Sequence, residues 1–94
     1  MELSTAQKAL LYIIAMKIKA SPGEVYDECN KLLIKIGYDP LSTRRLASLL
    51  ADLELYGFVT KEIRGREWSV RLNDTLDRLL VLETLKKELF TSYL

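Results

Sequence analysis

Three observations predict a mainly α domain with one small β-hairpin. Apolar residues recur at helical spacing in four segments, a Ser, Asn or Asp stands before each segment, and one run rich in Phe, Val, Ile and Trp turns back on itself at Gly65. Ninety-four residues, 49% hydrophobic and 29% charged, suit a single domain over residues 1–94 with one core.

The first helix is expected over about residues 5–19. Ser4 is its N-cap and Gln7 stands three residues on, the spacing of a capping box; Ala6, Ala9, Leu10, Ile13, Ile14 and the run from Met16 to Ile18 supply an apolar stripe. The second, about 22–36, opens on "SPGE". Ser21 caps it, Pro22 suits a first helical position whose N–H has no partner, and Glu24 can complete a capping box. Val25, Tyr26, Cys29, Leu32, Leu33 and Ile36 follow at helical spacing until Gly37 stops the helix. The third, about 43–56, takes Ser42 as N-cap and Leu41 as a staple. Leu46, Leu49, Leu50, Leu53 and Tyr56 share one of its faces, and Gly57 ends it. The other face carries Thr43, Arg44, Ala47, Ser48, Ala51 and Asp52, with Arg45 toward the edge. "FVTKEIRGREWSVRL", about 58–72, reads as two short strands. Asn73 or Asp74 then caps a final helix, about 74–92, whose Leu76, Leu79, Leu80, Leu82, Leu85, Leu89 and Phe90 make a broad apolar face.

Two helices joined by a short turn and followed at once by a two-stranded ribbon have the layout of a winged helix-turn-helix. In that layout the third helix is the recognition helix and the hairpin is the wing.

Composition removes several chemistries. A chain without histidine has no Ser-His-Asp or Cys-His machinery, and its single cysteine cannot make an internal disulfide or a structural zinc site. Gly23, Gly37, Gly57 and Gly65 stand too far apart for a phosphate loop or a dinucleotide fingerprint. An enzyme is therefore not expected, nor a small-molecule substrate. The longest apolar run, residues 9–16, is far short of the roughly 20 residues of a membrane span, and "MELSTAQK" has no signal-peptide pattern, so a cytoplasmic chain is expected. A net charge of +1 says nothing by itself; any nucleic-acid argument rests on where the charges sit.

Two of them sit badly for the helix that carries them. Arg44 and Arg45 fall in the first turn of the third helix, at the positive end of its macrodipole, while Asp52 and Glu54 lie toward the negative end; each misplacement costs a few tenths to about 1 kcal/mol. Conflicts with local rules are expected mainly at functional sites, and DNA phosphates or guanine edges would reverse the balance. The alternative is a pair of solvated side chains that bend away from the dipole. Small Thr43, Ala47, Ser48 and Ala51 would let the helix backbone approach the floor of a groove. The hairpin adds Lys61, Arg64, Arg66 and Arg71, with Arg64-Gly65-Arg66 at its tip and Glu62 and Glu67 diluting the patch. A charged tip can equally be plain solvation. Trp68, in phase with Val70 and Leu72, reads as core or sheet packing rather than a base-stacking residue, and Cys29 as a small buried hydrophobe. The last helix packs on the core or, with so broad a face, holds a partner or a second copy.

The run "GEVYDECNKLLIKIGYDPLSTRRLASLLADLELYGFV" resembles the C-terminal winged-helix domain of the archaeal origin-recognition initiators, AAA+ ATPases that mark replication origins. The resemblance covers about residues 4–75 and rests on Gly23-Glu24-Val25-Tyr26, on Pro40-Leu41 leading into Arg44-Arg45, and on Leu53 through Tyr56-Gly57. It implies binding of double-stranded origin DNA, with the recognition helix in the major groove and the wing on the neighbouring minor groove. The family's paired arginines fall on Arg44 and Arg45, its polar helix start on Ser42 and Thr43, and its basic wing tip on Arg64, Gly65 and Arg66; Ser48 and Lys61 complete the candidate set. Family wings are longer than "IRGREW", so the wing here is expected to be secondary. The resemblance also implies a C-terminal piece of a longer, nucleoid-associated protein, with ATP and magnesium held by a nucleotide-binding module outside this chain and no cofactor within it. The replicative helicase and other initiator subunits are further implied partners. Two other readings of the same fold stay open: a winged helix used for protein contact, and a dimeric transcriptional repressor.

Overall fold

In the computed structural model, which describes residues 2–90, the chain runs α1 (Thr5–Met16), α2 (Pro22–Lys35), α3 (Thr43–Leu55), β1 (Val59–Arg64), β2 (Glu67–Leu72) and α4 (Arg78–Phe90). This is the winged-helix order expected from the sequence. α1 lies at the centre, packed against α2, α3, α4 and β2. The core joins Leu10 and Ile14 of α1, Val25, Cys29 and Leu33 of α2, Leu46 and Leu53 of α3, Val59 and Val70 of the hairpin, and Leu85 and Leu89 of α4. Each such leucine removed from water contributes about 1.5–3 kcal/mol.

The local signals act where the sequence puts them. Ser4 and Gln7 form a reciprocal capping box, with the Gln7 N–H donating to Ser4 Oγ at 3.2 Å and the Ser4 N–H to Gln7 Oε1 at 3.0 Å. Ser21 accepts from the Glu24 N–H at 3.4 Å, but Glu24 does not close the box. Its carboxylate accepts from the Ser21 hydroxyl and pairs with Lys17 instead. At the end of α3, Gly57 has a φ of 86°, which lets the Phe58 N–H reach back to the Leu53 carbonyl at 3.0 Å.

Four expectations need correction. α1 stops at Met16, not at residue 19, because Lys17 is extended and Ala20 pairs with β2. The Ala20 N–H donates to the Val70 carbonyl at 3.2 Å and the Ala20 carbonyl accepts the Val70 N–H at 2.9 Å, which gives the hairpin a third partner along its edge. Met16 and Ile18 consequently leave the apolar stripe and are exposed. α4 starts at Arg78, not at 74. Its N-cap side chain is Asp77, which accepts from the Leu80 N–H, whereas Asn73 accepts from the Thr75 N–H and closes a turn, and Asp74 pairs with Arg71. Only Leu85 and Leu89 of α4 are fully buried; Leu79 and Leu80 point to solvent, so the broad apolar face is only partly used. Residues 91 and 92 of the expected helix lie outside the described residues. Tyr56, read as part of the core face of α3, is the exposed C-cap.

Arg78 explains where α1 and α4 meet. Its guanidinium donates to the carbonyls of Ala15 and Met16, satisfying groups that the end of α1 leaves open.

Candidate nucleic-acid interface

α3 is presented by a clasp as well as by a cap. Asn30, on α2, donates from Nδ2 to the Leu41 carbonyl at 2.8 Å and accepts the Leu41 N–H on Oδ1 at 2.9 Å. Both polar atoms of the amide are spent on the residue just before the N-cap, so the entry of α3 is fixed relative to α2. Ser42 is extended, and its Oγ accepts the Arg45 N–H at 3.1 Å. Its hydroxyl proton remains available to an outside acceptor.

Buried Leu46, Leu49, Leu50 and Leu53 hold the inner face of α3. At about 100° per residue, Arg44, Ser48, Ala51 and Leu55 then point almost directly outward, and all are exposed. Ala47 and Glu54 lie on the flank toward the hairpin; Arg45, with Asp52, lies on the opposite flank. Thr43 is exposed at the helix start, and no acidic residue stands in the first turn. Leu55, 80% exposed on the outer face, falls on the same helical period as Arg44 and Ser48.

The wing is a regular antiparallel pair in register Val59↔Leu72 through Arg64↔Glu67. Gly65 takes a φ of 61° at the first central position of its two-residue turn, the conformation a II′ hairpin demands of a glycine. Arg64, Gly65 and Arg66 are exposed at the tip. Lys61 and Trp68 share the face that looks toward α3, and the Lys61 ammonium lies 4.1 Å from the Trp68 ring centroid. Trp68 is half-buried against the core, as sheet packing requires. Strand alternation about Gly65 was enough to place 61 and 68 on one face, but not to show that they touch.

Charge pairing separates the cations. Among the described residues, Lys8 pairs with Glu88, Lys17 with Glu24 and Glu28, Lys19 with Glu62, and Lys31 with Asp27. Arg71, counted in the sequence among the wing cations, is held by Glu62 and Asp74. The Arg71 hydrogen bond, and then Lys19, hold the Glu62 carboxyl below the usual glutamate range. By contrast Arg44, Arg45, Lys61, Arg64 and Arg66 have no carboxylate partner among the described residues, Glu67 notwithstanding. Five unneutralised cations thus gather on the recognition helix start and the wing, with Lys35, Lys86 and Lys87 unpaired among the described residues and away from them, while the base of the wing is electrically closed.

Comparison with known proteins places this geometry in context. The family described as "CDC6, C terminal winged helix domain" matches residues 1–85. An ORC1-type DNA replication protein of Methanothermobacter thermautotrophicus is 36% identical over 95 residues, covering 94% of this chain and 26% of the relative. ORC1-type DNA replication protein 1 of Archaeoglobus fulgidus is 37% identical over 65 residues, covering 63% of this chain and 16% of the relative. The chain therefore spans about a quarter or less of the length of these relatives. Among solved structures, the Aeropyrum pernix ORC1 protein in complex with DNA superposes with a TM-score of 0.76 at 25% identity, covering 96% of this chain and 25% of that one. Lactococcus lactis ZitR superposes at 0.66 with 14% identity, covering 99% of this chain and 59% of that one, a likeness of fold alone.

Proposed function

We propose, for a chain that belongs to the CDC6 C-terminal winged-helix family of ORC1-type replication proteins, that it binds double-stranded DNA at replication origins through α3 and the wing. A winged-helix domain is a non-catalytic module, and DNA replication is the process its relatives serve. The observation that carries the proposal is the distribution of unpaired cations. Arg44 and Arg45 stand at a helix start that disfavours them and have no carboxylate partner among the described residues, and Lys61, Arg64 and Arg66 add unpaired charge on the wing. An anion from outside the chain resolves that conflict. The solved ORC1 relative is a complex with DNA, which supports a duplex as the anion's source.

In this reading α3 enters the major groove by its N-terminal turns. Ser42 and Thr43 meet the backbone, Arg44 and Ser48 face base edges, Arg45 takes a flanking phosphate, Arg64 and Arg66 with the Gly65 backbone approach the neighbouring minor groove, and Lys61 adds positive charge on the wing face toward α3. ATP and magnesium have no place in this chain's role, and a nucleoid-associated, cytoplasmic location follows from it. No helix among the described residues is long and apolar enough to cross a membrane. A separate observation supports protein contact by the same domain: Leu79 and Leu80 at the start of α4 are 74% and 60% exposed, close to exposed Met16 through the Arg78 link. A replicative helicase or another initiator subunit suits that apolar surface. Fluorescence anisotropy of an origin-repeat duplex and a scrambled duplex at several salt concentrations tests the main proposal. Tighter binding to the repeat, weakening as salt rises, is expected; equal absence of binding to both overturns it.

A further inference from the structure

Between α3 and the hairpin lies a crevice of about 220 Å³. Ala47, Ala51 and Glu54 line it from α3, Lys61 and Trp68 from the hairpin, and Tyr26 from α2, above a floor of buried core residues. The lining is amphipathic in a particular way. Two alanines and an indole ring offer apolar surface, and the same side chains carry three donors: the Lys61 ammonium, the Trp68 indole N–H and the Tyr26 hydroxyl. None of the three has an acceptor among the described residues, and none is a buried orphan, so each is open to solvent. Lys61 is moreover held in place by the Trp68 ring, so little side-chain freedom is left to lose on meeting an anion.

The duplex itself says what could lie there. A major groove and the neighbouring minor groove are separated by one sugar–phosphate strand, so a domain that puts α3 in one and its wing in the other straddles that strand. The space between the two elements is this crevice. We propose that it is a strand-binding site, in which a deoxyribose lies against Trp68, Ala47 and Ala51 while its phosphate is met by Lys61 and Tyr26. The inference rests on the DNA reading above and extends it to Tyr26 and Trp68, whose positions in the sequence suit packing. Apolar walls suit the sugar, the donors suit the phosphate, and the alanines leave the room that larger side chains would fill. Glu54 is the one opposing group, and its charge works against a phosphate in the crevice.

Trp68 is the chain's single tryptophan, so its emission reports on the crevice alone. The experiment titrates the protein with an unlabelled duplex while following Trp68 emission, beside an anisotropy titration of the same duplex carrying a fluorescein end label. Trp68 emission is expected to change and to saturate together with the anisotropy, on repeat and scrambled duplexes alike, since a strand contact carries no base readout. Lys61→Gln, at an exposed position that leaves the core untouched, is expected to weaken every duplex similarly and to lower the salt slope by about one unit; Glu54→Gln is expected to tighten binding. Anisotropy that rises with Trp68 emission unchanged, or a Lys61→Gln variant with wild-type affinity and salt slope, overturns the strand-binding site while leaving DNA binding through Arg44, Arg45 and the wing tip intact. Absence of any duplex binding removes both.

Discussion

Arg44 and Arg45 are neighbours in sequence but not in direction. Arg44 points outward with Ser48 and Ala51, and Arg45 lies about 100° away beside Asp52, on the flank opposite the wing. Their roles are expected to differ. Arg44→Ala should lose about 1–3 kcal/mol of binding and relax preference at one base pair, whereas Arg45→Ala should weaken all duplexes alike and reduce the salt slope by about one unit. Anisotropy with each variant on repeat and scrambled duplexes separates the two, and loss of sequence preference in Arg45→Ala alone would reverse the assignment. The outward direction of Arg44 was legible in the sequence, because it follows from the period of a helix with a leucine face. The clasp by Asn30 was not. Nothing local distinguishes a solvent-facing asparagine on α2 from one whose amide is completed by a residue 11 positions away.

At the scale of elements, the wing is pinned at its base and free at its tip. Lys19, Glu62, Arg71 and Asp74 form a connected set of ion pairs at the root, and the Ala20 bridge to Val70 adds two backbone hydrogen bonds there. Beyond Glu62 the strands carry only exposed Ile63, Arg64, Gly65 and Arg66 before the return at Glu67. Because Arg71 and Lys19 depress the native pKa of Glu62, the stability this carboxylate contributes is present above its ordinary unfolded value. It is lost as pH falls through the depressed native one. Thermal melts across that acidic range should show a steeper loss in wild type than in Glu62→Gln, and parallel curves would mean that the root pairs do not tie the wing down. The tip should matter less than α3 for binding. Arg66→Ala is expected to weaken repeat and scrambled duplexes modestly and equally, as a phosphate contact does, and a complete loss of binding in anisotropy would contradict this. Gly65 made the hairpin readable from sequence, but the ion pairing that spends Arg71 and spares Arg64 and Arg66 depends on register and on the α1–α2 connection together.

Across the whole molecule, one small core holds every element in place, so the interface depends on residues that never approach DNA. Leu53, fully buried on α3, is the clearest case. Leu53→Ala should cost about 2–5 kcal/mol by lost burial and the cavity left behind, a large share of the stability of so small a domain. Cys29 supplies a reporter for this. It is fully buried, its thiol donates weakly to the Ala6 carbonyl, and burial pushes its pKa up to about 12, so the reactive thiolate is scarce in the folded state. A thiol reagent at neutral pH should label wild type slowly and Leu53→Ala much faster; equal rates with unchanged melting would show that the inner face of α3 is misassigned.

Local pattern was enough to give the number of elements, most of their starts and stops, the hairpin turn and the outward face of the recognition helix. Each of these depends on groups within a turn or two of one another: Ser4 with Gln7, Ser42 with Arg45, Gly57 with Leu53, Gly65 within its own turn. Long-range packing set where α1 ends, where α4 begins, which cations keep their charge unpaired, and that a crevice opens between α3 and the wing. Arg78 meets the carbonyl of Ala15 from 63 residues away, Ala20 meets Val70 across the edge of the hairpin, and Tyr26 shares a wall with Trp68 from a different helix. Residue pattern carries no signal for such meetings, because helical and strand periods fix which side of an element a residue occupies but not what the fold brings to that side.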